Sequence, residues 1–164
     1  MKKNLSAGRL IEGALILALM VSCSGGSSDD KTVSVEEDDP EMVAAIAKAR
    51  ETLPRFWESF DRHEHGETDF GLKVKITDSH GTEHFWAIRI EKKDGRIFGT
   101  LDNDPNIVRS VKLGERIEIK EADISDWTYF RGDKMHGNYT LRVLFKSMPP
   151  KEVKQFKAIL AEPE

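Results

Sequence analysis

The polar side chains that could do chemistry lie in the loops of the C-terminal half of the chain. A positioned carboxylate is the simplest general base for hydrolysis, and Asp104 or Asp126 could supply it. Arg142 could bind a carboxylate or a phosphate group through its planar guanidinium. The candidate binding residues are Asn103, Asp104, Asp126, Trp127, Tyr139 and Arg142, with His136 close to them in sequence.

Each of these residues also has a structural interpretation. The carboxylate of Asp126 can accept backbone N–H bonds in a turn while the neighbouring Trp127 packs in the core. Asn103 and Asp104, which precede a proline, would form a rigid turn, and Arg142 could pair with either Asp104 or Asp126. The two interpretations differ in one respect, because a catalytic site requires these groups to converge in one pocket.

The established catalytic and metal-binding signatures are absent from the chain. There is no Gly-x-Ser-x-Gly elbow, no phosphate-binding loop and no His-Glu-x-x-His motif. His63 and His65 lack further metal ligands, and the acidic run beginning at Asp102 has Ile107 where a calcium loop needs glycine. We therefore expect no metal and no cofactor, and a non-enzymatic binding domain is favoured over the alternative, a small hydrolase.

Charge is distributed unevenly along the 164 residues. The formal net charge is −4, and the acidic excess lies between residues 28 and 41, because acids and bases are equal in number after Glu41. A neutral domain gives no electrostatic reason to expect nucleic-acid binding.

The first 22 residues have the features of a secretion signal. A basic start is followed by the apolar run Gly13–Val21 and the small residue Ser22. Nine helical residues rise only about 14 Å, which is too short for a bilayer core of roughly 30 Å. Residues 1–22 are therefore predicted to be a cleaved signal peptide.

The only cysteine, Cys23, follows this run directly. The box Met20-Val21-Ser22-Cys23 resembles that of bacterial lipoproteins, which are cut before the cysteine and acylated on it. The alternative is an ordinary signal peptide that leaves a free thiol. Acylation would anchor the protein in a lipid membrane of the cell envelope. In a host with an outer membrane, Ser24 after the cysteine resembles lipoproteins sorted to the periplasmic side of that membrane. A protein partner in the envelope is a further expectation.

Residues 23–40 are rich in glycine, serine and acids, and such a segment cannot bury enough surface to order itself. It is predicted to be a flexible acidic tether that spans about 25 Å. The remaining residues, 41–164, are predicted to form a single domain.

The domain is predicted to begin with helical segments. Asp39 can cap a first helix that starts at Pro40 and runs to Arg50. Thr52 could cap a second segment with Pro54 in its first turn. Three aromatic residues at helical spacing would then pack in the core: Phe56, Trp57 and Phe60.

Apolar alternation predicts a sheet in the middle of the domain. In the second strand, Trp86, Ile88 and Ile90 would face inward, with His84 on the same side as a satisfied histidine. A tight turn is expected from Ala122 to Asp126. The predicted strands are 70–77, 83–91, 96–101, 116–120 and 127–130.

The segment 139–148 fits either a helix or a strand. Leu141, Val143 and Phe145 alternate as in a strand, but the apolar run extends to Met148, which favours a helix with Asn138 as its cap. A final amphipathic helix is predicted over 151–160. The fold class is α+β, with an antiparallel sheet of about five strands packed with N-terminal and C-terminal helices.

Several short motifs occur in a characteristic order. They are Phe85-Trp86, Gly99-x-Leu101-x-Asn103-Asp104-Pro105, Leu113-Gly114-Glu115, Ile124-Ser125-Asp126-Trp127 and Gly137-Asn138-Tyr139-Thr140-Leu141-Arg142. In this order the chain resembles, over residues 41–160, a bacterial family catalogued as domain of unknown function 2314. The resemblance implies the extent of the domain and carries no established activity.

Overall fold

The computed structural model describes residues 39–163. The predicted signal peptide, Cys23 and nearly all of the predicted tether lie outside this range. The elements are α1 (Pro40–Arg62), β1 (Thr68–Asp78), β2 (Gly81–Lys93), β3 (Arg96–Leu101), β4 (Arg116–Ile119), β5 (Ile124–Arg131), β6 (Lys134–Gly137), α2 (Tyr139–Leu144) and α3 (Pro150–Ile159), with a 3-10 turn at Glu121–Asp123. Within residues 39–163, no helix is long and apolar enough to cross a membrane.

The strands form one sheet in the order β4-β3-β2-β1-β5-β6, and every neighbouring pair is antiparallel. Helices precede and follow the sheet in the chain. The predicted α+β class is confirmed, with six strands where about five were expected. The strand missed is β6, whose four residues include one large apolar side chain, Met135, so that no apolar alternation is visible.

Helix α1 begins where the sequence predicted, because the carboxylate of Asp39 accepts the backbone N–H groups of Glu41 and Met42 at 2.7 and 3.4 Å. The prediction of two separate segments is wrong. Thr52 does not start a new helix, since its hydroxyl donates to the carbonyl of Lys48 at 2.9 Å, and Pro54 lies inside one continuous helix. Packing against the sheet outweighs the hydrogen bond that proline removes.

One face of the sheet packs against α1 to form the core. Phe56 is fully buried, while Trp57 and Phe60 are partly buried against the core, so the predicted role of these aromatics is confirmed. The indole N–H of Trp127 donates to the carbonyl of Ala49 at 3.0 Å, which ties β5 to the helix. The other buried apolar residues at this interface include Leu53, Leu72, Val74, Phe85, Ala87, Leu101 and Tyr129.

The predicted inward face of β2 is wrong for its first two residues. Phe85 and Ala87 are fully buried on the α1 side, so Trp86 and Ile88 lie on the opposite face. The register of β2 against β3 shifts after Ile88, as in a β-bulge. The extra residue returns Ile90 to the core side, where it is buried.

The chain enters β5 earlier than predicted. The expected turn from Ala122 to Asp126 is a 3-10 turn that ends at Asp123, and Asp126 therefore lies within a strand. The guanidinium of Arg50 donates to the carbonyls of Ala122 and Ile124 at 2.9 and 2.8 Å. These bonds from α1 satisfy backbone groups at the start of β5 and fix where the strand begins.

The segment after β6 is helical, as favoured, but α2 ends at Leu144. Asn138 occupies the cap position without capping, because its backbone is left-handed (φ 55°) and its amide donates to the hydroxyl of Thr128 at 2.7 Å. The final helix, α3, is confirmed, and after it Leu160 pairs with Met135 of β6.

Candidate functional site

The carboxylate of Asp126 is fully buried and accepts four hydrogen bonds. One oxygen accepts the backbone N–H groups of Trp127 and Tyr139 at 2.9 and 3.2 Å. The other accepts the backbone N–H and the hydroxyl of Thr140 at 2.8 and 2.7 Å. The predicted backbone bonding of Asp126 is thus present, but it joins a strand to the first turn of α2.

A second charged group shares this site. Lys73 of β1 donates from Nζ to the hydroxyl of Thr140 at 3.1 Å. Burial lowers the pKa of Lys73, and the charge of Asp126 opposes that shift. Burial likewise raises the pKa of Asp126, against the hydrogen bonds from Thr140 and the charge of Lys73. A carboxylate enclosed in this way cannot reach a substrate, so its role is to hold the fold together.

Asn103 and Asp104 are exposed in the loop after β3. The side-chain oxygen of Asn103 accepts the backbone N–H of Trp86 at 2.8 Å, which fixes the loop against β2. Further along the same loop, the carboxylate of Glu83 accepts backbone N–H groups, including that of Ile107 at 2.9 Å. A binding role for the exposed Asn103 and Asp104 stays a prediction.

Arg142 donates to backbone carbonyls instead of forming the ion pair expected with Asp126 or Asp104. Its Nη2 group lies 2.8 Å from the carbonyl of Ala161 and 3.5 Å from that of Gly137. Burial lowers the pKa of the Arg142 guanidinium, although nearby acidic groups oppose the shift. These bonds hold the end of the domain against the start of α2.

The predicted aromatic candidates are core residues. Trp127 and Tyr139 are both buried, and their rings meet edge to face with centroids 5.8 Å apart. The ring of His136 stacks on Tyr129 at 4.9 Å. Asp126, Trp127, Tyr139 and Arg142 therefore gather around the junction of β5 and α2, whereas Asn103 and Asp104 lie in the loop after β3.

His84 and Ser125 resemble a base and nucleophile, with Nδ1 and Oγ 2.8 Å apart. The serine hydroxyl is buried and donates to the backbone carbonyl of Lys73 at 3.2 Å. The hydroxyl therefore has two partners, the imidazole of His84 and the carbonyl of Lys73. His84 has a hydrogen-bond partner, as expected of a satisfied histidine.

A polar cavity of about 340 Å³ lies at the C-terminal end of α1, between that helix, the segment before β1 and the end of β5. None of the predicted candidates lines it. Among residues 39–163 there is also no group of three or more His, Cys, Asp or Glu side chains able to hold a metal. The lining comprises Arg55, Arg62 and Arg131, then Glu58, Glu64 and Glu67, then Ser59, His65 and Tyr129.

An ion pair between the buried Glu67 and the partly exposed Arg131 forms the floor of this cavity. One oxygen of Glu67 accepts Nε of Arg131 at 3.0 Å and lies 2.9 Å from its Nη2. The other accepts the backbone N–H of His65 at 3.0 Å. Burial alone would raise the pKa of Glu67, but hydrogen bonds from His65, its own N–H and Arg131 together lower it. The carboxylate therefore stays ionised and holds the guanidinium in one orientation.

The sequence carries no local signal for this pair, because Glu67 and Arg131 are 64 residues apart. Glu67 precedes the first predicted strand and Arg131 follows the last, so both fell outside the periodic patterns. In the structure Glu67 directly precedes β1 and Arg131 ends β5, three residues and one residue beyond the predicted strand limits.

The chain matches, over residues 39–161, the bacterial family described as "Uncharacterized protein conserved in bacteria (DUF2314)". It belongs to the DUF2314 family. The predicted membership is thereby confirmed, and the domain described above is the DUF2314 domain. No solved structure matches the chain.

Two curated proteins are similar in sequence to this chain. The uncharacterised protein YegJ of Escherichia coli (strain K12) is 36% identical over 148 residues, which cover 89% of this chain and 95% of YegJ. That coverage exceeds the part of the chain in residues 39–163, so the similarity to YegJ reaches into the N-terminal segment. A putative ankyrin repeat protein of Neisseria meningitidis serogroup B is 28% identical over 127 residues, covering 72% of this chain and 50% of that protein.

Proposed function

We propose that this protein is a lipid-anchored envelope protein whose DUF2314 domain binds a ligand or partner without catalysing a reaction. One observation carries the non-enzymatic part: the buried carboxylate of Asp126 is enclosed by four hydrogen bonds. The second carboxylate of the hydrolase alternative, Asp104, is exposed in a different loop, and neither lines the polar cavity.

The anchoring part rests on the N-terminal sequence. The short apolar run Gly13–Val21 ends at Cys23, and a glycine- and acid-rich stretch follows. Several acyl chains on one N-terminus hold a protein stably, where a single chain gives marginal binding. In a host with an outer membrane, the domain would stand on its periplasmic side, held away from the lipid by the acidic tether.

Labelling cells with a radioactive fatty acid tests the anchor. The wild-type protein should carry the label and sediment with membranes, whereas a Cys23→Ala variant should lose the label. Equal labelling of both proteins would refute acylation at Cys23.

Site-specific crosslinking in cells tests the binding role of the cavity. A photo-reactive amino acid replaces Arg62 at the rim, where the native side chain is 58% exposed. The matched control replaces Arg96, which is 56% exposed and lies outside the cavity. We expect a specific adduct from position 62 alone. The same adducts from both positions, or a measured turnover by the purified protein, would overturn the proposal.

A further inference from the structure

We infer that the cavity at the C-terminal end of α1 binds a small zwitterion, with its carboxylate on Arg131 and its ammonium group between Glu58 and Glu64. This rests on the proposed function, since it names the ligand class of a binding domain. A free amino acid or a dipeptide, which carries both charged termini, has this chemistry.

Arg131 is prepared to receive a carboxylate. Its Nε and Nη2 groups are held by Glu67, and Nη2 also lies 3.4 Å from the hydroxyl of Ser59. Among the described residues, none accepts a hydrogen bond from Nη1. The side chain is 36% exposed, and its guanidinium lies 5.6 Å from the ring centroid of Tyr129. A planar group fixed in this way loses little entropy on binding a carboxylate.

The rim supplies the opposite charge. Glu58 and Glu64 each lie near Nη1 of Arg62, at 2.9 and 4.0 Å, and each is 58% exposed. Carboxylates that are still solvated can turn to accept an ammonium group at little cost. Glu58, Glu64 and Arg62 together carry one net negative charge, so this side of the lining can accept an ammonium group while Arg131 offers its Nη1 group to a carboxylate.

The balance of charges selects a zwitterion over a simple anion. The three arginines of the lining equal its three glutamates in number, so the cavity has no net charge when His65 is neutral. A phosphate dianion would bring two uncompensated charges against the rim acids. A ligand with one charge of each sign meets a complementary group at both ends. The volume of about 340 Å³ suits such a small polar molecule.

Nuclear magnetic resonance titration of the full chain with the dipeptide alanyl-alanine tests this inference. We expect saturable shifts of the Arg131 Nε–H and the His65 amide signals. Acetate and methylammonium each carry only one of the two charges. Each should bind at least about tenfold more weakly than the dipeptide, because a charged hydrogen bond contributes roughly 1.5 kcal/mol or more. Inorganic phosphate should compete poorly.

Two variants test the carboxylate end and the ammonium end of the ligand separately. Arg131→Lys keeps a positive charge beside Glu67 but loses the planar fork, so it should weaken binding of both the dipeptide and acetate about tenfold. Glu58→Gln should weaken dipeptide binding and leave acetate binding unchanged. Arg96→Lys, outside the cavity, should change neither. The melting temperature of each variant establishes that it is folded.

The inference is overturned if the dipeptide does not saturate these signals, if phosphate binds more tightly than the dipeptide, or if Arg131→Lys binds the dipeptide like the wild type. A specific crosslink from position 62 together with any of these results would sink the zwitterion and leave the proposed binding function standing. A saturable dipeptide shift, together with a wild-type protein that carries no acyl label, would leave the zwitterion standing and sink only the lipid anchor.

Discussion

The hydroxyl of Thr140 donates a hydrogen bond to the carboxylate of Asp126 across 2.7 Å, and the backbone N–H of Thr140 donates a second across 2.8 Å. The same hydroxyl accepts from Lys73 at 3.1 Å, so it lies between the buried carboxylate of Asp126 and the partly buried ammonium group of Lys73. Through this one residue, β1, β5 and α2 are joined by hydrogen bonds that replace those lost to water.

Replacing Asp126 with alanine should therefore be strongly destabilising. The change leaves three backbone N–H groups and one hydroxyl without their acceptor, and it removes the opposite charge near Lys73. Breaking a buried charged network in this way should lower the free energy of unfolding by about 3 kcal/mol or more. Chemical denaturation measures the difference. The control, Asp104→Ala, removes an exposed carboxylate and should change stability by less than about 0.5 kcal/mol. Similar losses in the two variants would contradict this role of Asp126.

The partners of Asp126 could not have been predicted from the sequence. Tyr139 and Thr140 are 13 and 14 residues away, beyond a strand of four residues that has no periodic signal. The cap at Asp39, by contrast, acts within three residues of the chain and was predicted correctly. A cap formed between neighbouring residues can be predicted from the sequence, whereas a contact across a strand that was not predicted cannot.

The orientation of β2 illustrates a second limit. Phe85 and Ala87 alternate with Trp86 and Ile88, so both faces of the strand carry apolar side chains. The alternation of side chains predicts a strand, but it does not show which face of that strand packs against the core. The bulge after Ile88 then breaks the period within the strand itself. The polar cavity was missed for a related reason, because its charged residues come from three separate elements.

Gly137 should tolerate no side chain. Its φ is +75°, and a Cβ atom there would lie 2.1 Å from the carbonyl oxygen of Trp127. Since that oxygen also accepts the backbone N–H of Asn138, it cannot move away without breaking the turn into α2. Gly137→Ala should lower the free energy of unfolding by more than about 3 kcal/mol.

Gly132 provides the matched control for that substitution. Its φ is +60°, but a Cβ atom would have nothing within 4 Å. Gly132→Ala should therefore show only the backbone strain, about 1 kcal/mol. Thermal or chemical unfolding of both variants measures the gap between them, and equal losses would mean that the close approach at Gly137 is unimportant.

Pro54 lies fifteen residues into α1, where it leaves the carbonyl of Arg50 without its helical donor. Pro54→Ala restores that donor and should raise the free energy of unfolding by about 1 to 2 kcal/mol, after allowing for the greater freedom of the unfolded chain. Pro150→Ala is the control, because Pro150 is at the first position of α3, where the N–H has no helical acceptor. A gain at both positions, or at neither, would argue against this account of α1.

Asp78 should make the loop after β3 sensitive to acid. One carboxylate oxygen accepts the backbone N–H groups of Arg109 and Ser110 at 2.6 and 3.0 Å, and the other accepts that of His80 at 2.7 Å. These bonds, led by the one from Arg109, hold the pKa of Asp78 well below its usual value of 3.8. A depressed folded pKa contributes stability that is present above pH 3.8 and is lost as the pH falls through the folded value.

The amides of Arg109 and Ser110 should therefore stay protected from hydrogen exchange at pH 4 and lose that protection only well below pH 3.8. In Asp78→Asn the neutral side chain cannot titrate, so these two amides should exchange faster at pH 6 and show no transition attributable to residue 78 in acid. The carboxyl carbon signal of Asp78 gives the midpoint directly. A midpoint at or above 3.8 would mean that the loop does not stabilise the charged form, since the hydrogen bonds that lower the pKa are the same ones that hold Arg109 and Ser110 in place.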